Sequence, residues 1–240
     1  VTVVVSAMRG VTDKLITSVY AAVDGDKWEY KNLNGKIQEQ HDEVINLLMK
    51  PSPQRERLQD ELHALLAGHL ELCSAVNILG EVTPRMLDAA VSLGERLSSR
   101  LVAGVLQEHG VAARQFDATH LLLTDNTFQD ADPIWKATRE RIRQHLIPAV
   151  ANGETPVVTG FIGATADGIV TTLGRGGSDY SAAIIAAHND SDELIIWTDV
   201  DGVMTTDPRI DKRARVLPKV SYQEVGELAF YGAKVLHPKT

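Results

Sequence analysis

The chain has 240 residues, 44% of them apolar, with a formal net charge of −8. That length suits one large α/β domain or two small ones with a sizeable core, and the composition excludes wholesale disorder. The acidic balance, without a basic stripe, argues against a nucleic-acid binder; no apolar run approaches a membrane span, no signal peptide is visible, and the lone cysteine, Cys73, excludes an internal disulfide and fits a reducing, cytoplasmic setting with the thiol buried.

Val1 to Val5 is a β-branched run, as expected of a buried parallel strand. It opens without Met or a preceding turn, and Thr240 follows His237-Pro238-Lys239 without a stop signal, so residues are expected upstream and downstream. Ser6 to Asp13 forms the next turn, before a helix over Lys14 to Val23. Loops at the carboxyl ends of parallel strands are where α/β proteins bind ligands, which makes Ser6 and Thr12 hydroxyl candidates; turn and N-cap roles are the alternative.

Asp24 to Lys36 reads as polar and turn-rich. Ile37, Val44, Ile45 and Leu48 then give an amphipathic helix closed by Pro51 and Pro53, and Leu58 to Leu72 gives a second. This pair, within residues 26–80, is expected to be a helical subdomain or insertion beside the main sheet. His41, His63 and His69 have no metal-ligand spacing and read as ordinary helix residues.

Thr83-Pro84 starts one long helix ending near Gly110. Glu95 lies off its main apolar stripe but shares a face with Val91, Ser98 and Val102, so it is a semi-buried acid in need of a partner. A salt bridge to Arg96 or Arg100 is one such partner, and a ligand is the other.

Val111 to Phe116 and Leu121 to Leu123 read as short strands, Asp125 to Asp132 as a polar loop, and Ile134 to Leu146 as a helix stopped by Pro148. Thr155 to Phe161 is a buried strand ending in Gly160-Phe161-Ile162-Gly163. Ile169 to Leu173 leads into Gly174-Arg175-Gly176-Gly177-Ser178-Asp179, and an Ala/Ile-rich helix follows to His188. A strand, a three-glycine turn and a helix N-terminus aim backbone N–H groups and a helix dipole at one spot, which suits an anion. Arg175 adds a planar fork for carboxylate or phosphate. The glycines alone are equally consistent with a plain βα turn.

Glu193 to Trp197 is expected as an apolar strand, ending in the acidic, hydroxyl-rich loop Thr198 to Arg209. Lys212 to Val220 reads as loop and Ser221 to Leu228 as helix. Alternating strands and helices without hairpin signals predict a three-layer α/β/α sandwich with a mostly parallel central sheet. Candidate ligand groups after four strands would then share one sheet edge. Neither a Walker A motif nor a complete G-x-G-x-x-G is present, because Asp179 occupies the last position.

Leu173 to Tyr180, Trp197 to Gly202, Thr206-Asp207-Pro208-Arg209 and Phe230 to Pro238, with Val3 to Ala7 and Leu93-Gly94-Glu95, closely resemble the aspartate kinases of the amino-acid kinase fold. The resemblance covers nearly the whole chain and implies one catalytic domain over residues 1–240, lacking that family's first Lys-Phe-Gly-Gly strand and its C-terminal ACT regulatory domains. It implies phosphorylation of the L-aspartate side chain by ATP, in lysine, threonine and methionine synthesis. Ser6, Thr12, Glu95, Arg175 and Ser178 would hold aspartate, with Arg175 on a carboxylate and Glu95 on the ammonium. Asp179, with Arg175, would organise the transfer site. Gly176, Gly177, Thr198, Asp199, Met204, Asp207, Arg209 and Lys234 would serve ATP; Met204 stands where the family often has tyrosine. No protein metal cage is expected, with Mg²⁺ carried by the ATP phosphates, and a homodimer is expected. The alternatives are an acetylglutamate, glutamate or UMP kinase, or a non-catalytic binding module.

Overall fold

In the computed structural model, residues 1–174, 176–198, 202–206 and 211–230 are described. Their central sheet has three parallel strands in the order β1 (Val3–Val5), β3 (Thr155–Thr159), β2 (Ala113–Phe116). Val3 pairs with Val157, Val4 with Val158, and Gln115 with Val157.

The side chains alternate as a pleated strand requires. Val3, Val5, Ala113 and Val157 pack on one face with Val102, Ala103 and Leu106 of α5 (Leu93–Glu108). Val4, Phe116 and Val158 pack on the other with Ile142 and Leu146 of α6 (Trp135–Ala151) and Tyr180, Ile184 and Ile185 of α7 (Gly177–His188). Helix, sheet and helix thus form the three expected layers.

Beside them, α1 (Val11–Val23), α2 (Lys27–Leu48) and α3 (Pro53–Leu79) share cores with α5. α3 alone among the described helices has the length and hydropathy of a membrane span. Its stripe of Leu58, Leu62, Leu66, His69, Cys73 and Val76 is buried, as part of these helical cores. His41 and His69 are also interior: His41 Nδ1 bonds the Ile37 carbonyl at 2.7 Å, and His69 Nε2 the Ser18 hydroxyl at 2.7 Å.

Several elements differ from the sequence reading, each for a local reason. The segment expected to be turn-rich is helical from Lys27, because the Asp26 carboxylate accepts from the Glu29 N–H and caps the helix. The expected helix from Pro84 divides at Ser92 into α4 (Pro84–Val91) and α5, although Ser92 keeps helical angles and its N–H bonds the Asp88 carbonyl. Leu121 to Leu123 follows a 3-10 turn and makes only a single bridge, Leu123 to Ala164. Pro148 lies inside α6 instead of ending it; the carbonyl it leaves unbonded belongs to exposed Gln144, which water can satisfy.

Two further differences concern the sheet edge. β4 (Ile162–Ala164) and β5 (Val170–Thr172) form an antiparallel hairpin, so the glycine loop follows a hairpin strand and not a strand of the main sheet. Thr165 closes the connection, accepting the Gly168 N–H on its carbonyl and the Ile169 N–H on its hydroxyl. Glu193 to Trp197 is not a strand: no described segment pairs with it, and Leu194, Ile195 and Trp197 are exposed. A further helix, α8, spans Tyr222–Phe230.

Candidate active site

A cavity of about 620 Å³ opens at the carboxyl ends of β1 and β3. Its wall includes Ser6, Thr12, Glu95, Gly176, Gly177, Ser178 and Asp179, which lie far apart in the sequence. Asp13, Asp88, Gln129, Phe161 and Thr172 complete much of the rest.

Small residues allow this convergence. A Cβ on Gly94 would stand 2.7 Å from that of Ala7, so glycine lets α5 approach the end of β1. A Cβ on Gly160 would stand 2.8 Å from the Ser178 Cβ and 3.0 Å from its Cα, so glycine lets β3 meet the start of α7. The loop turns with Gly174 and Gly176 at φ of 80° and 66°, which L side chains rarely adopt. Gly177, Ser178 and Asp179 then form the first turn of α7, where backbone N–H groups have no partner within the helix.

Glu95 lines the same cavity. It is 3% exposed, and its Oε1 accepts the Ala7 N–H at 3.2 Å. Oε2 is buried, with no hydrogen-bond partner among the described residues. Neither neighbouring arginine serves it: Arg96 pairs with Asp117, and Arg100 donates to the Arg96 carbonyl. The salt-bridge alternative therefore fails. Burial pushes the Glu95 carboxyl up to about 7, with the Ala7 N–H acting weakly against it.

Sequence reasoning missed Asp88, Gln129 and Thr172. Asp88 is 1% exposed and accepts from the Gln129 N–H, the Thr172 N–H and the Thr172 hydroxyl. One signal was available, since Asp88 precedes Glu95 by seven residues, two helical turns, and shares its face. Thr198 and Met204 do not line the cavity; Thr198 is exposed, and Met204 bridges to Val216. Arg175, Asp199, Asp207, Arg209 and Lys234 lie outside the described residues.

A second cleft, of about 720 Å³, lies beyond β2 and is lined by Arg100, Asp117, His120, Arg141, His145 and the turn of the β4–β5 hairpin. None of the expected site residues borders it. Among the described residues, no group of three His, Cys, Asp or Glu is placed to hold a metal ion.

The cavity brings Glu95, one of four carboxylates among its described lining residues, together with a glycine loop leading into a helix N-terminus, an arrangement that suits a small dipolar ligand. Residues 1–240 match the amino acid kinase family, and the chain belongs to it. Among its relatives, lysine-sensitive aspartokinase 3 of Escherichia coli is 35% identical over 99% of this chain and 51% of its own length. Aspartokinase of Schizosaccharomyces pombe is 33% identical over 97% of this chain and 44% of its own. Among solved structures, E. coli aspartokinase III in complex with aspartate and ADP superposes with a TM-score of 0.89, at 35% identity, over all of this chain and 51% of that one. The chain thus spans about half the length of these relatives.

Proposed function

We propose that this chain is the catalytic domain of an aspartate kinase, transferring the γ-phosphoryl group of ATP to the side-chain carboxylate of L-aspartate. The observation that carries the reading is buried Glu95, whose Oε2 has no hydrogen-bond partner among the described residues, in a cavity also lined by an anion-suited loop. An amino-acid ammonium supplies the missing cation, and the loop receives a carboxylate. The likeness to an aspartokinase bound to aspartate and ADP supports the same assignment.

In this reading Glu95 holds the ammonium, while Ser6, Thr12 and Ser178 hydrogen-bond the substrate. Arg175 takes a carboxylate. The Gly176-Gly177 turn, held by the Gly177 N–H on the Gly174 carbonyl at 3.0 Å, faces the phosphoryl group in transit. The side-chain carboxyl of aspartate has a pKa of about 4 and is already ionised at neutral pH, so no general base is needed. One carboxylate oxygen attacks the γ-phosphorus as the bond to the ADP oxygen breaks, and the work of the protein is to align two anions and neutralise their charge. Mg²⁺, arriving on the nucleotide, neutralises phosphate charge. Asp179, which lines the cavity with Gly176 and Gly177, orients cations in this reading. Thr198, Asp199, Met204, Asp207, Arg209 and Lys234 form the nucleotide side. Residues 26–80 act as a helical subdomain, and a cytoplasmic homodimer binding neither nucleic acid nor membrane completes the reading.

ATP-dependent release of ADP by the purified protein tests it, with aspartate, acetylglutamate, glutamate and UMP supplied singly as acceptors and hydroxylamine trapping the acyl phosphate formed from aspartate. Aspartate is expected to be the preferred acceptor, with Arg175→Ala and Asp179→Ala each lowering turnover. Preference for another acceptor overturns the substrate, and unchanged turnover in both variants overturns the site.

A further inference from the structure

We propose that Asp88 is a positioning residue that fixes the separation between the two ends of the amino-acid site and thereby favours aspartate over its one-methylene-longer homologue. The proposal rests on the aspartate kinase reading and adds a source for its substrate selectivity.

Asp88 joins three segments. It sits on α4, its Oδ2 accepts from Gln129 and Thr172 N–H groups at 3.0 Å each, and its Oδ1 accepts the Thr172 hydroxyl at 2.8 Å. Gln129 adopts φ of 71°, and the Ala131 N–H bonds the Thr172 carbonyl at 2.9 Å, so the 129–131 loop and the end of β5 move as one piece. That piece is also pressed on the glycine loop: a Cβ on Gly174 would lie 2.8 Å from Asp130 Oδ1 and 3.3 Å from the Gln129 carbonyl.

The two poles of the site are therefore tied through one carboxylate. Glu95 follows Asp88 by two turns of a helix that Ser92 does not interrupt in its angles. Thr172 precedes Gly174 by two residues and Ser178 by six. Any loss of the three bonds frees the glycine loop to shift relative to Glu95. Among the described residues, Asp88 has no ion-pair partner, so its hold is exerted by geometry through neutral donors. Displacements of about 1 Å in a reacting site can cost up to a hundredfold in rate, and one methylene is worth about 10–200-fold in discrimination.

Asparagine has a particular meaning here. Its carbonyl oxygen can accept both N–H groups, and its NH₂ can donate to the Thr172 hydroxyl, preserving all three bonds without charge. Glutamate keeps the charge but moves the acceptors by one methylene. The test measures the KM for aspartate and for ATP, the aspartate-to-glutamate ratio of kcat/KM, and amide hydrogen exchange at Gln129 and Thr172 in Asp88→Asn, Asp88→Glu and Asp88→Ala.

Asp88→Asn is expected to stay near the wild type. Asp88→Glu and Asp88→Ala are expected to raise the KM for aspartate about tenfold or more, leave the KM for ATP unchanged, narrow the aspartate preference and speed exchange at both amides. A merely structural role would lower the active fraction without moving KM. If Asp88→Ala fails to fold, the order of the Asn and Glu variants still decides. Asp88→Glu outperforming Asp88→Asn overturns the proposal, because charge would then matter more than geometry. An unaltered KM and unaltered exchange in Asp88→Glu and Asp88→Ala overturn it too. A wild type that prefers another acceptor while the variants still change amide exchange overturns the aspartate reading and the selectivity it assigns to Asp88, and leaves the three-bond tie standing.

Discussion

Arg96 places its Nε 2.8 Å from Asp117 Oδ2, and in doing so turns its charge away from Glu95, its neighbour in sequence. Burial pushes the Asp117 carboxyl up, but Arg96 and the Thr119 hydrogen bonds hold it below the usual carboxylate range on balance. Arg96→Gln is expected to cost about 1–3 kcal/mol at pH 7, between the values of exposed and buried pairs, with Asp117→Asn recovering part of the loss. Urea denaturation of the two single variants and the double variant checks this.

Glu95 should show opposite effects in the two assays. Its folded pKa of about 7 lies above the ordinary 4.5, so the folded form binds the extra proton between those values. Its stability contribution is full below pH 4.5 and is lost as pH rises to 7, roughly 3 kcal/mol in all. Glu95→Gln is therefore expected to melt higher than the wild type above pH 7, with the gap closing towards pH 4.5. The same variant should raise the KM for aspartate more than tenfold, because a neutral amide cannot balance an ammonium. In the wild type, that KM should rise as pH falls below 7.

His69 reports on the helical layer. Burial lowers its pKa to about 4, against an ordinary 6.5. Neutral His69 contributes stability that is present above pH 6.5 and lost as pH falls towards 4. A His69→Gln variant is expected to be less stable at neutral pH, but with a shallower decline through that window. Thermal melts at half-unit pH steps check it.

Gly160→Ala tests the close approach of β3 and α7. The added methyl meets the Ser178 backbone at 3.0 Å, where a side-chain rotation gives no relief. Stability is expected to fall by about 1–3 kcal/mol, as in other overpacked interiors. Displacement of Ser178 should lower kcat/KM for aspartate by about tenfold or more.

How far the sequence could be read follows from where the information is local. Val3 to Val5 announced a strand because β-branched residues repeat without interruption, and the glycine loop announced a turn because few other sequences make one. Glu95 was legible as an acid lacking a partner, but only the fold could show that Arg96 looks elsewhere. Asp88 was hidden, since an acid near a helix start reads as solvent-facing and its donors lie 41 and 84 residues away. The β4–β5 hairpin had a local signal, Asp167-Gly168 in its connection, but strands of three residues each carry too little alternation to set against the α/β pattern around them. Glu193 to Trp197 misled for the converse reason, since apolar composition allows a strand but pairing makes one.

The cavity wall runs from Ser6 to Asp179. Such a site has no local precursor, because residues separated by most of the chain must meet before any ligand contact exists. During synthesis the pocket is incomplete until α7 has left the ribosome and docked beneath Gly160. Ligand affinity in this protein is therefore a measure of completed folding, and slow variants will reveal themselves first as molecules with ordered helices that do not yet bind.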